Sequence, residues 1–116
     1  MNGCEIMDFI EYSSKALRTA NSNLSYRETL ANCALGLCGE SGEVADLIKK
    51  SNYHGHVLDY ENIAKELGDI LWYVNWLAES IGFSLEEIAV NNLLKLEKRY
   101  PDKFSSEASI NRKEKE

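Results

Sequence analysis

Apolar residues recur along this chain at intervals of three and four, the period of helices with one packed face. The first such stretch runs from about Glu5 to Ala20, with Ile6, Phe9, Ile10, Ala16 and Leu17 on its apolar side, and Asn21-Ser-Asn23 ends it. Ser25-Tyr-Arg-Glu28 has the spacing of a capping box and announces a second helix that continues to about Lys50, with Leu30, Cys33, Leu37, Val44, Leu47 and Ile48 as its stripe. Ser51 to His56 reads as a polar turn. A third helix begins near Asp59 and stops at Gly82, its stripe formed by Ile63, Leu67, Ile70, Val74, Leu77 and Ile81. A second capping box, Ser84-Leu-Glu-Glu87, opens a fourth helix, which Pro101 ends. Trp72 and Trp76 project almost opposite the third stripe, so that helix must be covered on two sides, and a subunit interface is the expected cover.

The pattern predicts an all-α fold, a bundle of four to five helices in one domain over residues 1–101. Residues 102–116 form a polar, partly flexible extension whose end, Asn111 to Glu116, reads as a solvated tail. With 116 residues and one proline, the chain has the length for a single core and little to interrupt its helices. No apolar run reaches the length of a membrane span, and the start, Met1-Asn-Gly-Cys-Glu-Ile6, lacks the basic and apolar parts of a signal peptide. Cys4, Cys33 and Cys38 are odd in number and show no CxxC spacing, so buried free thiols in a reduced, cytoplasmic compartment are expected. The formal net charge of −6 argues against nucleic acid as a partner, because a phosphate backbone demands a basic surface.

Two acidic pairs change the picture from fold to chemistry. Glu40-Ser-Gly-Glu43 and Glu66-Leu-Gly-Asp69 are both i,i+3 pairs, so each presents two carboxylates on one helix face. Glu40 falls inside the apolar arc of the second helix, Glu43 at its edge, and Glu66 and Asp69 beside the arc of the third. Carboxylates at such positions need compensation, and a hard divalent cation supplies it. Oxygen donors alone suit Mg2+, with Mn2+ as a substitute, rather than zinc. A di-iron site would want Glu-x-x-His pairs, whereas His54 and His56 lie in the turn. On the fourth helix, Asn92 projects into the apolar arc with Lys95 and Arg99 flanking it. That cationic edge suits phosphates, and Lys50 is a weaker candidate for the same task.

The stretch Ala34-Leu-Gly-Leu-Cys-Gly-Glu-Ser-Gly-Glu-Val-Ala-Asp-Leu-Ile-Lys-Lys50, followed by Glu66-Leu-Gly-Asp-Ile-Leu-Trp-Tyr73, resembles MazG-type nucleotide pyrophosphohydrolases of the all-α NTP pyrophosphatase superfamily. Lys95-Leu-Glu-Lys-Arg-Tyr-Pro101 and the Asp-Lys-Phe-Ser that follows are also similar to family sequence. The resemblance implies a MazG-like bundle assembling as a homodimer or a homotetramer, a dimer of dimers. It also implies Glu40, Glu43, Glu66 and Asp69 as magnesium ligands and catalytic groups, and a nucleoside triphosphate as substrate, bound through Tyr73, Asn92 and Lys95. The implied reaction takes an NTP or dNTP to the monophosphate and pyrophosphate, in nucleotide-pool housecleaning. One departure from the family's EExxE is Gly39, which stands where the first Glu would be. The alternatives are a metal-stabilised helical interaction module without activity, or a dUTPase-like or phosphoribosyl-ATP pyrophosphohydrolase activity on the same scaffold.

Overall fold

The computed structural model describes residues 6–112, and among them every regular element is helical. The order is α1 (Phe9–Ala16) with a 3-10 turn (Leu17–Thr19), α2 (Tyr26–Tyr53), α3 (Tyr60–Ser80), α4 (Leu85–Arg99) and α5 (Ser106–Asn111). Cys4 and the last four residues lie outside the described part. No helix is long and apolar enough to cross a membrane among the described residues.

Local chemistry sets the ends. Ser25 and Ser84 each accept from the backbone N–H three residues on, and Glu28 and Glu87 reach back to the cap, so both capping boxes close as the spacing predicts. Asp8 and Asp59 cap α1 and α3 in the simpler way, by accepting from Glu11 and Asn62. Gly82 follows α3 at φ +92°, a left-handed conformation that an L side chain rarely adopts, while Phe83 N–H closes on the Ala78 carbonyl at 2.9 Å. Three boundaries differ from expectation. The first helix is half as long as its apolar pattern, because Leu17–Thr19 tightens into 3-10 geometry and Glu5 is outside the described residues. Ser51-Asn-Tyr53 continues α2, and the turn begins at His54 with Gly55 at φ +75°. A fifth helix forms inside the polar extension, started by Ser105, whose hydroxyl accepts from Ala108 N–H.

The principal contact is the α2–α3 hairpin, on which α1 and α4 pack lightly and α5 packs on α4. Cys33 on the α2 stripe is fully buried, and burial pushes its thiol up; Cys38 is exposed, contrary to the expected buried thiol, because it lies off that stripe. On α3 the buried residues are Asn75, Trp76 and Ala78, none of them in the predicted stripe. Leu67 and Ile81, expected in the core, are about half exposed. Against α1, Trp72 Nε1 donates to the Ala16 carbonyl at 3.0 Å, and Trp76 packs edge-on against Trp72 with centroids 5.1 Å apart. Part of the tryptophan face is therefore covered by this chain's own first helix.

A carboxylate cluster between two helices

Antiparallel pairing of α2 and α3 sets Glu40 opposite Glu66 and Asp69. One carboxylate oxygen from each of these three residues lies within 4.8 Å of the others. Glu40 and Glu66 are half-buried and Asp69 is exposed, so the cluster lies open on one side to water. Like charges this close oppose joint ionisation. Glu40 answers by sharing a proton with Glu66: that hydrogen bond first, then partial burial and the charges of Glu66, Asp69 and Glu43, push its carboxyl up to about 7. The donor set, three carboxylates with no sulfur or imidazole, fits a hard divalent ion.

Glu43, one turn along α2, is exposed and its carboxylate stands outside the group of three, although its charge still reaches Glu40. Tyr73 continues the Glu66–Asp69 face of α3 and is half-buried. Its ring rests on the backbone of Gly36, where a Cβ would overlap the ring carbons, and its edge meets Trp72 with centroids 5.0 Å apart. Gly39, where the family's first Glu would stand, meets no atom within 4 Å of a built Cβ, so that position opens away from the helix seam.

The expected cations stand apart from the three carboxylates. Asn92 and Lys95 are exposed on α4, so the burial expected for Asn92 is not found within one chain. Arg99 is half-buried at the α4–α5 corner, its guanidinium carbon 5.8 Å from the Tyr100 ring centroid. Lys50 bonds Asp46 at 2.8 Å, an exposed pair in which the lysine holds the Asp46 carboxyl low. His54 and His56 are exposed in the α2–α3 turn.

Two residues near this region carry no sequence signal. Tyr12, half-buried on α1, lies within electrostatic reach of Asp69. Asn75 is fully buried on α3, without a hydrogen-bond partner among the described residues for either side-chain polar atom. Neither could be found from periodicity, since only the docking of α1 and α4 on α3 covers them.

A helical hairpin here gathers one carboxylate of an ExxE pair and both of an ExxD pair. The chain belongs to the MazG nucleotide pyrophosphohydrolase domain family, whose model matches residues 28–104. It is also 38% identical over 76 residues to the "Gene 37 protein" of Mycobacterium phage L5, covering 62% of this chain and 67% of the phage protein. No solved structure matches it.

Proposed function

We propose that this chain is a divalent-cation-dependent nucleoside triphosphate pyrophosphohydrolase, cleaving an NTP or dNTP to the monophosphate and pyrophosphate in nucleotide-pool housecleaning. The observation that carries the reading is the convergence of Glu40, Glu66 and Asp69 from α2 and α3 within 4.8 Å, inside the stretch that matches the family. Glu40, Glu66 and Asp69 would hold the ion, with Glu43 completing the acidic set from the rim. Bound there, Mg2+ or Mn2+ neutralises charge on phosphate oxygens and lowers the pKa of a coordinated water. Glu43, exposed and outside the tight group, accepts the proton of the water that attacks the α phosphorus, while pyrophosphate leaves. Tyr73, braced between Gly36 and Trp72, offers a fixed aromatic wall to the nucleoside. Asn92 and Lys95 supply donors to the phosphates the ion does not cover.

The working form in this proposal is a homodimer or a homotetramer in the cytoplasm. Two features support association. The radius of gyration is 17.4 Å, against about 13 Å for a compact single chain of this length. On α4, Val90, Leu93 and Leu94 stand exposed. A second copy laid on that face would bury these apolar side chains.

The test is pyrophosphate release from a panel of canonical and modified NTPs and dNTPs with Mg2+, run on the native chain and on Glu66→Gln. Equal yields of monophosphate and pyrophosphate, lost in the variant, support the reading. Absence of release from every nucleotide, with Mg2+ still raising the melting temperature, overturns it in favour of a metal-stabilised helical module.

A further inference from the structure

The family match begins at residue 28, so α1 lies outside it, yet α1 is fastened to the helix that carries Glu66 and Asp69. Ser13, buried, donates from its hydroxyl to Glu79 Oε1 at 3.1 Å, and Trp72 Nε1 donates to the Ala16 carbonyl at 3.0 Å. Tyr12 lies four residues before Ala16 and so shares its face of α1, just as Asp69 lies three before Trp72 and shares its face of α3. The indole bond therefore locks together the two faces that bear Tyr12 and Asp69. Tyr12 is half-buried and within electrostatic reach of Asp69, and an ordinary phenol is an uncharged O–H donor at neutral pH. The Trp72 N–H is already committed to Ala16, so the α1 side of the cluster has the Tyr12 hydroxyl as its candidate donor.

We propose that Tyr12 is a substrate-contacting residue, its phenolic O–H donating to a phosphate oxygen of the nucleotide held beside Asp69. The role rests on the nucleotide reading above and extends the site to a helix outside the family's matched stretch. A neutral hydroxyl is the donor such a place tolerates: it adds no positive charge to compete with the cation for the carboxylates. Trp72, tied to α1 at one side and edge-on to Tyr73 at the other, makes the same helix a brace for the aromatic wall.

The experiment uses the full chain, a nucleotide with a non-hydrolysable α,β-imido bridge, and Mn2+. Binding of Mn2+ alone and of the nucleotide in saturating Mn2+ is measured by calorimetry for the native protein and for Tyr12→Phe, which keeps the ring. The expected result is about a tenfold loss of nucleotide affinity, typical of a hydrogen bond to a charged group, with Mn2+ affinity and metal-free melting unchanged. Turnover should show the loss in KM rather than kcat. Native-like nucleotide binding in Tyr12→Phe overturns the proposal while the nucleotide reading stands. Weakened binding of Mn2+ alone also overturns it, placing the hydroxyl on Asp69 instead. A native chain that binds Mn2+ but no nucleotide removes the underlying reading, and this role with it.

Discussion

Tyr73 rests its ring on the bare backbone of Gly36, so one aromatic side chain of α3 sets how closely α2 approaches beside the carboxylates. Glycine is required there for space and not for backbone freedom, since Gly36 sits within the regular helix of α2. Any Cβ would have to push the ring away, and with it the seam that brings Glu40 to Glu66 and Asp69.

Gly36→Ala should therefore destabilise the protein by about 1–3 kcal/mol, the usual cost of forcing an extra methyl into a packed contact. In a Tyr73→Ala background the sign should reverse. With the ring gone, alanine's helix preference is worth up to about 1 kcal/mol over glycine. Urea unfolding of the four proteins in this cycle checks both values. Equal destabilisation in the two backgrounds would show that the ring is not what excludes the methyl.

Asp69→Asn separates function from stability. Removing one of three crowded charges relieves repulsion, so the metal-free protein should melt on the order of 2–4 °C higher. Pyrophosphate release should fall about 100-fold or more, as is common when a charge-stabilising group of an active site is removed. Calorimetry without metal and a pyrophosphate assay with Mg2+ test the pair. A variant that melts lower and hydrolyses normally would contradict both the crowding and the site.

The Glu40 proton gives the metal-free protein a defined pH dependence. Its carboxyl is raised from 4.5 to about 7 in the folded chain, chiefly by the hydrogen bond with Glu66, so the folded state holds a proton that the unfolded chain releases. The stabilisation tied to that proton is complete below pH 4.5 and is lost as the pH rises to about 7. Metal-free melting should therefore decline across this window, and Glu40→Gln should flatten the decline. Divalent-ion affinity should climb over the same range, because the ion displaces the proton. Melting and Mn2+ titrations at several pH values between 4.5 and 8 decide the matter.

The exposed leucines of α4 yield a test of assembly. Leu93 and Leu94 are 60% and 56% exposed, and a second copy is the proposed cover. The double change Leu93→Glu with Leu94→Lys should shift the protein from an oligomer to a monomer in light scattering after size exclusion, with a lower melting temperature. A native chain already monomeric at micromolar concentration would remove the proposed interface.

Several features were decided by the sequence itself because they depend on residues three or four positions apart. Ser25 with Glu28 and Ser84 with Glu87 close their capping boxes, Gly82 takes the left-handed turn after α3, and each acidic pair shares one helix face. The pairing of Glu40 with Glu66 and Asp69 was legible too, because the short polar turn after α2 leaves α3 little choice but to fold back along it. Periodicity, however, reports only how residues are spaced around one helix and not which neighbour arrives to cover them. The docking of α1 tied Trp72 to Ala16 and brought Tyr12 within electrostatic reach of Asp69, and the packing of α1 and α4 on α3 decided which of its residues are buried. Leu67 and Ile81, on the predicted stripe, stand about half exposed. The place of Glu43 on the rim, outside the group of three, likewise follows from how α2 meets α3. Spacing could put Glu43 on the right face, but only packing set how far its carboxylate stands from the rest.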